Sequence, residues 1–285
     1  MTVIVVCAVL VVVGLALAVV WGGNSVADPP GPDSAEPPDR PTAGLALSRL
    51  AWRLDIAIIS GLVAGITIAG AGGRLAMRLL AATAGDGAQG RLTEAEEVVG
   101  RITTEGTIGF IVFVGVFSGL LTGVAVMVLR RWLPRGRLGG FAFGALLLVV
   151  GATRLEPMRT DNPDFDLVGP SWLALVVFGA VVLAQGVVTA AVASRLSRSL
   201  PLLSRRPVTI FAHLPIVVIL LPSPLLVGAV VLAALAVSLT RFPRVAGLFE
   251  SRRALVAGRV VLAALALVSL PGFVVAIADI AGRGP

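Results

Sequence analysis

Residues 208–240 read VTIFAHLPIVVILLPSPLLVGAVVLAALAVSLT, between the arginine clusters RLSRSLPLLSRR (195–206) and RFPRVAGLFESRR (241–253). The stretch is too long for one ordinary transmembrane helix, since a bilayer core of about 30 Å takes about 20 apolar residues. Near its centre stands Pro222-Ser223-Pro224. Proline has no amide donor and turns its predecessor away from helical geometry, so this tripeptide favours a tight turn. Two readings follow, a hairpin of two short spans and a single kinked helix. Charge separates them. Cytoplasmic loops carry the excess of arginine and lysine, and both flanking clusters are basic, so the chain should cross twice between them.

The same reasoning extends outward. The runs Val3–Trp21, Ile56–Gly73, Gly106–Val128, Gly139–Ala152 and Ser171–Ala193 meet or approach spanning length. Val208–Leu221, Leu225–Leu239 and Leu255–Ile280 complete the series. The expected fold class is all-α, a polytopic helical membrane protein of about eight transmembrane helices. Arg130, Arg131, Arg135 and Arg137 form a third basic loop with no acid in it. The segment from Arg154 to Asp166 is acidic, and so is the one from Asp86 to Glu105. Alternating these loops across the bilayer puts the basic ones inside and the acidic ones outside. Both termini are then expected outside, in a cell membrane.

Composition agrees. The 285 residues are 57% hydrophobic and only 14% charged, where a soluble domain is nearer half apolar and a quarter charged. The net charge of +7 resembles that of a nucleic-acid binder. However, all 23 lysine-plus-arginine residues are arginine, they lie in short clusters between apolar runs, and tyrosine does not occur. That is the pattern of membrane topogenesis rather than of a nucleic-acid surface. No nucleic-acid partner and no cofactor are expected. Cys7, the single cysteine, reads as a small apolar side chain.

Three segments divide the chain: residues 1–23, a first transmembrane helix; 24–48, a Pro-rich flexible linker; and 49–285, a helical membrane domain of about seven spans. The first helix has no basic residue before it, and Ser25-Val26-Ala27 resembles a signal-peptidase site. A signal peptide wants a positively charged start, and cleavage would invert every later loop, so an uncleaved span is expected. The linker from Asn24 to Thr42 is rich in proline and acids, and such composition stays extended or disordered.

Glycines recur at intervals of about four. Gly61, Gly65, Ala69 and Gly73 share one face of the second span, Gly115, Gly119 and Gly123 one face of the third, and Gly140 and Gly144 one face of the fourth. In lipid, helix association depends on close backbone approach, so these rows mark packing faces. They serve either contacts within the chain or a membrane-protein partner or second copy.

Ionisable groups within spans are costly, which makes them candidate functional positions. Arg74 and Arg78 stand one helical turn apart on one face. They are placed to meet Glu94, Glu96 and Glu97 of the next loop, or to bind an anionic group. His213 lies just inside the sixth span before Pro215, with no carboxylate nearby in sequence. Gln185 is deep in the fifth span, positioned to bond a neighbouring helix, while Asp55, Arg259 and Asp279 fall near span ends. The acidic loop Arg159–Asp166 offers oxygens without EF-hand spacing. Arg241–Arg253 surrounds Val245, Leu248 and Phe249, which suits a basic amphipathic helix on anionic lipid.

The runs GGRLAMRLLAATAGD (72–86), TEGTIGFIVFVGVFSGLLTGV (104–124), RRWLP (130–134) and NPDFDLVGPSWLAL (162–175) resemble a group of uncharacterised actinobacterial integral membrane proteins. The resemblance covers residues 50–195 and implies the membrane class without an activity. The function expected first is a non-catalytic scaffold or partner in a membrane complex. The alternative is a small-molecule transporter or channel using the Pro-broken hairpin around residues 208–240, since interrupted helices often line sites. A lipid-directed enzyme ranks third, because one histidine and one cysteine leave little from which to build a catalytic centre.

Overall fold

Long apolar segments without a water-facing side must satisfy their backbone polar groups internally, and the helix does so within one segment. The computed structural model describes residues 1–30, 42–94, 97–155, 157–203, 207–221, 225–240, 247 and 251–283. Among them the ordered elements are helices, apart from one isolated β-bridge between Leu92 and Val98. In chain order they are α1 (Thr2–Trp21), α2 (Ala43–Thr83), α3 (Thr104–Leu129), α4 (Arg137–Gly151), α5 (Ser171–Ser199), α6 (Pro207–Ala212), α7 (Leu214–Leu220), α8 (Leu225–Leu239) and α9 (Arg252–Ala281). The helices α2, α3 and α4 each contain one π-helical stretch, at Gly65–Gly70, Ile111–Val116 and Leu147–Gly151.

Five of these, α1, α2, α3, α5 and α9, are long and apolar enough to cross a membrane. This differs from the expected eight. α4 and α8 are apolar but shorter, and the expected sixth span is split at His213 into α6 and α7. Pro215, in the first turn of α7, cannot donate a hydrogen bond back across that break. The tripeptide 222–224, the arginines at 205, 206, 241 and 244, and the proposed amphipathic segment around Val245, Leu248 and Phe249 lie outside the described residues. So does most of the Pro-rich linker.

The linker's two described ends are ordered. Thr42 caps α2 by accepting a hydrogen bond from the Leu45 amide, so the helix starts at Ala43, inside the segment read as linker. At the other end, Ser25–Asp28 is held by the arginine-bearing loops. Arg130 donates to the Ala27 carbonyl at 2.7 Å and pairs with Asp28 at 3.0 Å, while Arg198 donates to the Ser25 carbonyl at 2.8 Å. The Ala27 amide in turn donates to Ser197 Oγ.

α2 is the axis of the bundle. In its most apolar window 72% of residues are buried, against 11% for α1 and for α9, whose apolar surfaces face outward. Its neighbours include α1, α3, α5, α7 and α8. The glycine rows show why α3 comes so close. A Cβ on Gly61 would lie 2.2 Å from the Gly119 carbonyl oxygen, and one on Gly65 would lie 2.1 Å from that of Gly115. Gly119 and Gly123 meet α2 equally tightly, at the carbonyls of Gly61 and Ala57. The two helices therefore run antiparallel with their backbones in contact, and only hydrogen fits at these positions. α4 and α5 use a second seam, where a Cβ on Gly186 would sit 2.4 Å from Gly144 Cα. Gly140 faces Val187 more loosely, at 3.5 Å.

These contacts give the bundle two chemically different ends. One gathers Arg130, Arg198 and the Gly136 amide around residues 25–28, and Trp52 of α2 donates there to the Leu200 carbonyl at 3.0 Å. The other holds the loops 84–103 and 157–170 with most of the described carboxylates. There Arg283, just beyond α9, bonds the carbonyls of Thr160 and Asn162.

Candidate functional site

At the acidic-loop end, α2, α3, α5 and the two loops enclose a cavity of about 560 Å³. Arg74 is its central polar group. The residue is only 7% exposed, a costly position for a guanidinium unless its donors find acceptors. Nε donates to Thr107 Oγ1 at 3.2 Å, and that hydroxyl donates onward to the Thr103 carbonyl at 2.8 Å. Nη2 lies 4.0 Å from Glu97 Oε2 and has no hydrogen-bond partner.

Glycines make room for this group. A Cβ on Gly73 would press against the Phe110 ring at 3.0 Å, and one on Gly106 would meet both Glu97 and Arg74. With hydrogen at both positions, the Phe110 ring lies under the guanidinium, 5.9 Å from Cζ to ring centre, within cation–π range. Arg78, one turn on, reaches the Gly100 carbonyl at 3.4 Å. Gly100 has φ +85°, a conformation that L side chains rarely adopt, and Gln89 Oε1 fills the space where its Cβ would stand.

Carboxylates line the cavity too, but most are engaged. Nη2 of Arg159 donates to both oxygens of Glu94 at 2.7 and 2.8 Å, a short charge-assisted pair. Asp164 Oδ1 accepts the Glu94 amide at 2.8 Å, which ties the two loops together. Burial raises the Asp164 carboxyl above the ordinary aspartate value; the Glu94 amide opposes this and the Glu94 carboxylate adds to it. Arg74, Arg78 and Arg101 share the lining with Glu97, which pairs with Arg74 at 4.0 Å. Of the acids expected to meet Arg74, Glu97 does so, Glu94 is turned to Arg159, and Glu96 lies outside the described residues.

Gln185 sits between helices, donating to Thr122 Oγ1 on α3 at 3.1 Å. Thr189 returns a hydrogen bond to the Gln185 backbone carbonyl. These groups stitch α5 to α3 and lie outside the Arg74 cavity.

A buried hydrogen-bonded pair of ionisable residues stands near the arginine-rich end. His213 Nδ1 hydrogen-bonds Asp55 Oδ2, with Asp55 fully buried and His213 4% exposed. The break in the sixth apolar run is therefore fastened to the central helix. Sequence reasoning left Asp55 near water and gave His213 no carboxylate, because the partners are 158 positions apart. One signal was available: Asp55 stands three positions after Trp52, a large apolar residue on the same helical face, which the structure buries fully.

Comparison with protein-family models, with curated proteins and with solved structures finds no match in any of the three.

Removing one member of a buried pair leaves the other unpaired, at a cost of about 3–5 kcal/mol. Asp55→Ala and His213→Ala are each expected to lower stability by about that amount in denaturant titrations of detergent-purified protein. The double variant should lose clearly less than the sum. Additive losses would show that the two side chains do not interact.

Proposed function

We propose that this chain is a non-catalytic multi-pass membrane protein that holds a small anionic ligand in the Arg74 cavity. The single observation carrying this reading is the buried Nη2 of Arg74, which faces a cavity of ligand-binding size with no hydrogen bond among the described residues and only a 4.0 Å ion-pair contact to Glu97. A guanidinium with an open donor suits phosphate or carboxylate oxygens, which accept strong, directional hydrogen bonds from it. The lining supplies charge recognition and apolar surface, with no histidine or cysteine among its residues. This favours the small-ligand class over a scaffold. It also moves the site away from the hairpin region where the interrupted helix suggested one.

The distribution of arginines supports an orientation. The end bearing Arg130, Arg131, Arg135, Arg137, Arg195 and Arg198 belongs in the cytoplasm by the positive-inside rule. The cavity and both chain ends then lie on the outer side of the cell membrane.

Inorganic phosphate serves as the simplest probe of the cavity. It is expected to raise the thermal midpoint of the purified protein in a concentration-dependent way, and Arg74→Gln should abolish the shift. An equal shift in both proteins would remove the site. For orientation, Asp161→Cys and Arg135→Cys are made in a Cys7→Ser background, both positions being exposed. A membrane-impermeant maleimide applied to intact cells should label the first and spare the second. The reverse pattern would invert the topology.

A further inference from the structure

The cavity joins a polar end to an apolar wall that continues onto the outside of the bundle. Phe113 lines it while keeping 79% of its surface exposed, and Val114 beside it is 40% exposed. Both belong to the apolar π-helical stretch of α3. Across the cavity, α5 contributes Ala174 and Phe178. A pocket for a water-soluble solute would be walled off from lipid at this level. Here the wall continues onto surface that a membrane helix turns to acyl chains.

Depth agrees with this. Arg53, exposed near the start of α2, and Arg74 are separated by 21 positions, or about 31 Å at 1.5 Å per residue. A hydrocarbon core is about 30 Å thick. With Arg53 at one boundary, Arg74 stands at the headgroup level of the other. Phe113 is six positions beyond Thr107, the residue that Arg74 bonds, and so lies about 9 Å deeper in the hydrocarbon. The arrangement has a donor at headgroup depth and an apolar trough running inward from it.

We propose that the ligand of this cavity is an anionic lipid of the surrounding leaflet. Its charged oxygens sit on Arg74 Nη2, with Arg78 and Arg101 at the rim, and one acyl chain lies along Phe110, Phe113 and Phe178. This rests on the anion-site reading above. Glu97, 4.0 Å from Nη2, holds the guanidinium in the empty cavity and gives way when the headgroup binds. Gly109 marks where the chain passes, since it lines the cavity and a Cβ there would meet nothing within 4 Å.

The test uses full-length protein in phosphatidylcholine nanodiscs carrying a trace of phosphatidylglycerol with a photoreactive acyl chain. The matching photoreactive phosphatidylcholine is the control, and labelled residues are mapped by mass spectrometry. The charged probe is expected to label residues 109–114 and 174–178 at least about tenfold more than the neutral one, as one charge-assisted hydrogen bond implies. Arg74→Gln should erase that preference. Gly109→Trp fills the open space where the acyl chain passes, so it should block labelling by the charged probe. Equal labelling by the two lipids, or a preference that survives either substitution, overturns the proposal. If phosphate binds while neither lipid is preferred, the lipid assignment falls and the anion site stands. If phosphate also fails, both fall together.

Discussion

Two backbones in contact, those of α2 and α3, set the geometry on which the rest depends. In lipid no hydrophobic force draws helices together, so adhesion comes from packing and polar contacts at short range. Gly61 and Gly65 against Gly119 and Gly115 provide that approach. They also fix the register. With these pairs facing, Arg74 falls opposite Thr107, and Gly73 falls opposite Phe110. A slip of one turn would carry the guanidinium about 5.4 Å from both. The seam is therefore what positions the cavity.

The costly groups follow the same logic. Asp55, Ser60, Thr67 and Arg74 are all buried, and all are on the central helix. Ser60 and Thr67 settle their hydroxyls on their own helix, donating to the Ile56 and Val63 carbonyls. The two charged residues lie toward opposite ends and are treated differently. Asp55 is fastened through Oδ2 to His213, beside the helix start that follows it, although its Oδ1 and His213 Nε2 make no hydrogen bond among the described residues. Arg74 keeps one donor open toward a cavity. One position reads as a fastening, the other as a site.

Much of this was legible from residue spacing, and the reasons are local. The four-residue glycine rows on α2 and α3 appear in sequence because a helix repeats on that interval. The two chemically distinct ends appear because loop charge is a local property. Gly186 did not stand out, since its nearest glycine on α5 is seven positions away, yet it makes the closest contact of the α4–α5 seam. The Asp55–His213 pair was out of reach because nothing local links residues so far apart. The cavity was equally hidden, depending on how the loop at 93–102 docks against the one at 157–168. That docking hangs on the Arg159–Glu94 ion pair and the Asp164 bond. Five described helices reach spanning length where about eight were expected, because an apolar run shows hydrophobicity but not where a helix breaks, as at His213.

The central claim is that α2 and α3 of the same chain meet backbone to backbone through glycine. Solid-state NMR of ¹³C-glycine-labelled protein in bilayers measures this directly, through cross-peaks between the α-carbons of Gly61 and Gly65 and the carbonyls of Gly119 and Gly115. The account predicts strong cross-peaks whose intensity per labelled chain is unchanged when labelled protein is diluted with unlabelled. Loss of these peaks on dilution would place the seam between two chains, and their complete absence would contradict the seam itself.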